Sequence, residues 1–259
     1  MAEVLIVFGS KSDEPVYKEI VKGLKKERVE TELRISSAHR TPEELDSIIK
    51  TDSRLIISGA GLSAALPGVI ASKTIKPVIG VPCHGNYEGL DALLSIMQMP
   101  PGIPVLSVGV GQIKVVVVNT LKLLRKYFSI NLISEMPNNA LKQAEEILKE
   151  FDIVYKKSDK AEEDAINIEF VSLDEEIPEK DHLVIYCPLL LEKDDKAEAA
   201  LNVLKHSSHG LWVGLNNGRN AALAAIEILN FDGKYTDKLL SYREKLKKKV
   251  KESDEEIRK

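Results

Sequence analysis

The chain is poor in cysteine: 259 residues hold only Cys83 and Cys187, far apart in sequence. That leaves no disulfide framework and no zinc-ligand spacing, and it fits a reducing cytoplasm. A basic excess is also lacking, with 36 Lys and Arg against 40 Asp and Glu and a net charge of −4. A dedicated nucleic-acid binder needs such an excess to neutralise phosphates, so that class is not expected. No apolar run approaches the roughly 20 residues of a membrane-spanning helix, so no membrane partner is expected. The start, MAEVLIVFGS, has no basic n-region and its apolar run is only strand-length, so it does not read as a secretory signal. A cytoplasmic location is the expectation. Glutamine is scarce beside Lys, Glu and Ile, a balance that suits a thermophile. What is present is 44% hydrophobic and 29% charged residues. That supports a packed core in one large domain or two small ones.

VLIVF (Val4 to Phe8) is a short continuous apolar run, the pattern of a strand buried on both faces. It runs into GSKSD, Gly9 to Asp13, and a helix expected from about Glu14 to Glu27. Gly and small hydroxyls between a strand and a helix can let a phosphate or sugar approach the backbone. Asp13 serves equally well as a cap for the helix. TELRI (Thr31 to Ile35) reads as a second strand, followed by SSAHRTP (Ser36 to Pro42) and a helix from Pro42 to about Lys50. Pro at the first helical position and acids in the first turn are helix-start signals. His39 and Arg40 then lie on a loop at the carboxyl end of a strand, where open α/β sheets bind ligands. Arg40 offers a planar fork for phosphate and His39 a proton carrier near neutral pH. A capped turn with a surface His and Arg is the competing reading.

LIIS (Leu55 to Ser58) is a third strand, opening into GAGLSAALPG (Gly59 to Gly68). Its small residues either admit a ligand to the backbone or let a helix pack closely on the strand. KPVIGV (Lys76 to Val81) and PVLSV (Pro104 to Val108) are the fourth and fifth strands. The loop PCHGNYEG and a helical segment LDALLSIMQMP lie between them, and a helix is expected over Gln112 to Tyr127. His84 in that loop reads as a surface or ligand-adjacent residue. Five strand–helix alternations with short loops predict a flavodoxin-like three-layer α/β sandwich with a parallel sheet. The turns after strands one, two and three fall on one edge of that sheet.

The second half, residues 129–259, reads differently. Asn131 to Asn138 looks like a break, Asn139 to Glu150 an amphipathic helix and FDIVY (Phe151 to Tyr155) a strand. Residues 156–181 are highly charged and read as surface structure. HLVIYCP (His182 to Pro188) and GLWVGL (Gly210 to Leu215) read as strands. Helices are expected over Asp194 to His206, Asn220 to Leu229 and the lysine-rich tail from Lys234. Glu145 to Asp164 lies loosely over Lys18 to Glu44, HLVIY over RLIIS, and HGLWVGLNNGRNAALAAIEIL over GIPVLSVGVGQIKVVVVNTLKLL. These matches describe two tandem related halves, 1–128 and 129–259, the second shortened and without the first half's site motifs. Chance likeness between two α/β halves is the alternative.

Taken together, GSKSD, SSAHRTP, GAGLSAALPGVIAS, PVIGVP and GLDALLSIMQMPPGIPV resemble the catalytic domain of the purine-biosynthesis enzymes that make 4-carboxy-5-aminoimidazole ribonucleotide. The resemblance is collinear from about residue 3 to 128, and NAALAAIEILNFDGKYTDKLLSYREKLKKKV is similar to the family's C-terminal helices. It implies that Ser10, Ser12 and Asp13 hold the ribose and phosphate and that Ser37 and Arg40 grip the phosphate. His39 would be the general acid/base, and Gly59, Ala60, Gly61 and Leu66 would wall the pocket where the carboxyl group moves. The partners implied are a ribonucleotide and CO2, with no metal and no organic cofactor. Two reactions occur in the family: transfer of the carboxyl of N5-carboxyaminoimidazole ribonucleotide to C4, and direct carboxylation of aminoimidazole ribonucleotide.

The chain departs from the pattern of the transferring members at Leu62, Ser63 and Ala65, the last standing where their motif has histidine. These departures lean toward direct carboxylation, whereas Arg40, LPG and QMPPGIPV lean toward transfer. A non-catalytic nucleotide-binding protein on the same fold is the alternative from another class. Family members form octamers, so a chain of two halves implies a homotetramer imitating an octamer. Lys114 to Leu124 and Asn220 to Leu229 are apolar enough to require partners.

Overall fold

The computed structural model describes residues 2–85, 87–174, 176–190 and 195–258. Its first half is β1 (Val4–Phe8), α1 (Glu14–Lys26), β2 (Thr31–Ile35), α2 (Leu45–Ile48), β3 (Leu55–Ala60), α3 (Ala65–Lys73), β4 (Val78–Pro82), α4 (Leu90–Met97), β5 (Leu106–Ser107) and α5 (Ile113–Leu123). The second half is β6 (Ser129–Ser134), α6 (Asn139–Glu150), β7 (Tyr155–Ser158), β8 (Ala165–Ser172), β9 (Val184–Leu189), α7 (Lys196–His206), β10 (Leu211–Trp212), α8 (Gly218–Leu229) and α9 (Thr236–Ile257).

The apolar runs form strands because both sheet faces are covered. Along β1, Val4, Ile6 and Phe8 join a core with α1 and α5, while Leu5 and Val7 join a separate core with α2, α3 and α4. This is the three-layer arrangement in which parallel strands read as unbroken hydrophobic runs. The strands among the described residues lie in one ten-stranded sheet of order β2-β1-β3-β4-β5-β10-β9-β8-β6-β7. The first five follow the 2-1-3-4-5 order of a flavodoxin-like sheet. Read inward from its own edge, the second half runs 7-6-8-9-10, the same order in its own strands. The halves meet where Trp212 of β10 pairs antiparallel with Ser107 of β5. Across this seam α4 and α7 share a core through Leu93, Met97, Ala199 and Val203, with Tyr186 stacked on Trp212.

Several expectations need correction. The break expected over Asn131 to Asn138 is confined to residues 135–138, because Asn131 to Ser134 belong to β6, which pairs with both β7 and β8. The strand expected at Phe151 to Tyr155 begins only at Tyr155. Residues 156–181 are not surface structure throughout, because β8 is a central, largely buried strand. Its charged neighbours hide it in the sequence, and Asn167, wholly buried within it, breaks the apolar pattern. HLVIY does not correspond to RLIIS. By place in the sheet β8 is the counterpart of β3 and β9 of β4. The helix expected over Pro42 to Lys50 shrinks to a 3-10 turn at Pro42–Glu44 and the four-residue α2. Asp194, the expected start of α7, lies outside the described residues, as does Lys259 at the end of the tail.

No helix among the described residues joins β7 to β8. The connecting segment is stapled to the sheet by two buried asparagines. Asn131 Nδ2 donates to Lys160 O (2.9 Å) and Asn167 Oδ1 (3.0 Å), and Asn167 Nδ2 donates to Glu162 O (2.9 Å) and Leu183 O (3.0 Å).

Helix α8 is buried along its whole length from Asn220 to Leu229. Its apolar run was expected to need another subunit, but its cover comes from its own chain. It packs on α6, β8 and β9, and α9 lays Leu239 and Tyr242 into the same core. The N-terminal end of α8 grips the first half. Asn217 Nδ2 donates to Met99 O (3.1 Å), Asn220 Nδ2 donates to Pro100 O (3.0 Å), and Asn220 Oδ1 accepts from Gly102 N (2.7 Å). Gly102 has a φ of +105°, and a Cβ there would stand 2.2 Å from Leu246 Cδ1 of α9. Helix α5 is less covered, with Val118 exposed. No helix among the described residues is long and apolar enough to cross a membrane.

Candidate active site

The loops at the carboxyl ends of β1 to β4 enclose a cavity of about 660 Å³. Parallel order places these ends on one edge of the sheet, which is why segments far apart in sequence meet. After β1, Ser10 is extended (φ −156°), and its Oγ accepts from Ser12 N (3.2 Å) and from Ser12 Oγ (2.8 Å). Ser10 therefore caps the 3-10 turn Lys11–Asp13. Asp13 makes no side-chain cap to α1, so the capping explanation of that residue does not hold. Its half-buried carboxyl faces Cys83 instead. Burial raises its pKa, opposed by hydrogen bonds from the Cys83 thiol and the Ser10 backbone. Burial and the adjacent carboxylate push Cys83 up to about 12, so it stays a protonated donor at neutral pH.

After β2 the segment Ser36 to Thr41 is a tight turn held by Thr41. Ser37 N donates to Thr41 Oγ1 (3.0 Å), Thr41 N donates to Ser37 O (2.9 Å), and the Ser36 and Thr41 hydroxyls lie 3.0 Å apart. The turn lifts His39 into solvent at the cavity's mouth. Arg40 folds back, its Nη2 donating to Gly9 O (3.0 Å) and its Nε to Ser37 Oγ (3.4 Å). That fixes the guanidinium between the first two loops. The four-residue α2 that follows supplies little helix dipole for binding an anion. The longer α3 opens at the same cavity with no acid in its first turn.

The third wall is the β3–α3 connection. Ala60, Gly61 and Leu66 line the cavity; Gly59 does not. A Cβ on Gly59 would stand 2.2 Å from Phe8 Cε1, so that glycine makes room for the ring of its partner on the neighbouring strand β1, and neither a ligand nor a closely packed helix accounts for it. Leu62 adopts a φ of +56°, a left-handed conformation costing a non-glycine residue about 1–2 kcal/mol. Its side chain is 60% exposed beside the cavity. Ser63, Ala65 and, from the loop after β4, His84 complete the lining. Cys83 carries no site signal of its own in the sequence, and His84 reads there as a surface or ligand-adjacent residue. The available signal was their place directly after the fourth strand, in step with the other loops. Among the described residues no group of three or more His, Cys, Asp or Glu side chains is placed to hold a metal ion.

The sequence profile of the family described as AIR carboxylase matches residues 3–127, the half that builds this cavity. An N5-carboxyaminoimidazole ribonucleotide mutase of Methanocaldococcus jannaschii is 51% identical over 110 residues, covering 42% of this chain and 70% of that protein. The chain belongs to the AIR carboxylase family. A phosphoribosylaminoimidazole carboxylase of Saccharomyces cerevisiae is 41% identical over 148 residues, 55% of this chain and 26% of that protein. A crystal structure of Treponema denticola PurE, 29% identical, covers 47% of this chain and 81% of that chain with a TM-score of 0.40.

In this AIR carboxylase family member the second half offers different groups at the ends of its strands. After β6, Ser134 Oγ donates to Met136 O (2.7 Å), and Asn138 Oδ1 accepts from Leu141 N (2.7 Å) as the cap of α6. After β7, Ser158 Oγ donates to Lys160 O (2.7 Å).

Proposed function

We propose that this chain is an enzyme of purine biosynthesis that forms 4-carboxy-5-aminoimidazole ribonucleotide by moving the carboxyl of N5-carboxyaminoimidazole ribonucleotide to C4. The observation that carries this reading is the convergence, in one cavity, of the Ser10–Ser12 turn, the Arg40 fork and His39 beside a wall of small residues. The naming of relatives such as the M. jannaschii mutase supports it. The serines and Arg40 hold the phosphate, and Asp13 the ribose. The N–C bond of the carbamate breaks to give CO2, and protonated His39 delivers its proton to the exocyclic nitrogen. The enamine-like C4 attacks the trapped CO2, forming the new C–C bond. Neutral His39 then takes the C4 proton, which restores its starting state. The protein supplies positioning, water exclusion and one proton carrier.

Direct carboxylation of aminoimidazole ribonucleotide is the second reading. Ser63 and Ala65 in the cavity wall and the name of the yeast relative favour it. Product formation from the carbamate substrate at low bicarbonate, against formation from aminoimidazole ribonucleotide with bicarbonate, separates the two. Turnover of neither substrate leaves a nucleotide-binding protein. In the proposed assembly four chains in the cytoplasm form a homotetramer. Residues 1–128 of each provide the active site, and 129–259, a degenerate related domain, provide scaffold.

A further inference from the structure

The cavity has two chemically distinct ends. The loops after β1 and β2 supply Ser10, Ser12, Ser37 and Arg40, suited to a phosphate, together with His39 and with Asp13, whose carboxyl faces Cys83. The loops after β3 and β4 supply the opposite end. The sheet order β2-β1-β3-β4 separates the outermost of these loops by three strand spacings, about 14 Å. A ribonucleotide anchored by its phosphate at the first end therefore carries its base, and any carboxylate on the base, toward the second. Most of the second end is apolar or small: Gly61, Leu62, Ala65 and Leu66. Its side-chain donors are Ser63 and His84.

His84 has a defined seat. Gly111, in the loop after β5, has a φ of +72°, and a Cβ there would stand 3.0 Å from His84 Nε2, so the Nε2 tip of the ring packs against the bare backbone of that glycine. On its other side the His84 carbonyl lies 3.7 Å from a Cβ position on Gly61. Among the described residues no protein group bonds the imidazole. His84 lines the cavity on the loop farthest in strand order from that of Arg40.

We propose that His84 reads the carboxyl group: its imidazole donates a hydrogen bond to the carboxylate of the bound nucleotide and so sets specificity for carboxylated over uncarboxylated ligand. The inference rests on the reading of the cavity as a site for aminoimidazole ribonucleotides. It divides the work of the two imidazoles, with His39 carrying the proton and His84 holding the group that moves.

The test is calorimetric titration of the whole protein with two nucleotides, 5-aminoimidazole ribonucleotide and its 4-carboxy derivative. In His84→Ala the affinity for the carboxylated nucleotide should fall roughly tenfold or more, as for a hydrogen bond to a charged group, with the uncarboxylated nucleotide bound within about twofold of the parent. His84→Gln keeps an N–H donor and should recover part of the loss. Equal losses for both nucleotides, or no loss for either, would overturn the role of His84 while leaving the site reading intact. Failure of the parent protein to bind either nucleotide would overturn the site reading and the role of His84 with it. An unchanged melting temperature in both variants identifies any selective loss as a contact rather than a folding effect.

Discussion

At the scale of single residues, the proposed chemistry concentrates on His39 and Arg40, which one short turn delivers together. His39 is exposed and Arg40 is tied to Gly9, so removing the imidazole should leave the anion grip standing. His39→Asn is expected to lower turnover by about 10²–10⁴-fold with nucleotide affinity little changed, as read by steady-state rates beside equilibrium binding. Wild-type turnover in this variant would remove His39 from the mechanism. Arg40→Ala should weaken the nucleoside monophosphate by about 2 kcal/mol and the dephosphorylated nucleoside far less. Equal losses would show that Arg40 does not read phosphate.

At the scale of elements, the join between α8 and the loop before β5 is made by asparagine side chains rather than apolar contact. Asn220 is 1% exposed and bonds Gly102 N and Pro100 O. Truncation strands those buried groups, so Asn220→Ala should cost about 2 kcal/mol, a fall of roughly 4–8 °C in melting temperature. A melting temperature unchanged within a degree would mean that water replaces the amide without cost. Helices α8 and α9 are also joined by Glu227 and Arg243, with Oε1 and Nη2 2.9 Å apart. Burial pushes the Glu227 carboxyl from an ordinary value near 4.5 up to about 8, against the pull of Arg243. Below about pH 4.5 both folded and unfolded chains hold this proton; between there and about 8 only the folded chain does. Stability from this group is therefore full at the acid end and is lost as pH rises through the window. Glu227→Gln should flatten that part of a denaturation-against-pH curve, and an unaltered slope would show that Arg243 keeps the carboxylate ionised.

At the scale of the whole molecule, the second half completes the sheet and covers its own apolar helix, so α8 gives no reason to expect association. Exposed apolar side chains do remain, among them Leu33 and Ile35 on the edge strand β2, Val118 on α5, and Phe128 and Val154 in the loops before β6 and β7. The proposed tetramer should scatter light as four chains, and nucleotide should saturate at one per chain. A stable monomer would refute the tetramer, and two nucleotides per chain would show that the second half also binds.

Local sequence determined the first half's strands, because a buried parallel strand must be apolar on both faces and VLIVF and LIIS have few other uses. It also placed Ser10, Ser12, Ser37, His39 and Arg40 on strand-end loops, since Gly, Ser and Pro mark those turns. It did not reveal β8, where charged flanks and a buried Asn obscure the strand. The pairing of Asn167 with Asn131 that makes the burial tolerable is a long-range contact. Nor did it separate Gly59, needed for the Phe8 ring, from Gly61 at the cavity, because a glycine's purpose depends on what approaches it in space. The meeting of β5 with β10, the grip of α8 on Met99 to Gly102, and the place of His84 opposite Arg40 were likewise decided by tertiary structure. Each depends on which strand ends and helix ends become neighbours, and sheet order sets that where local propensity does not.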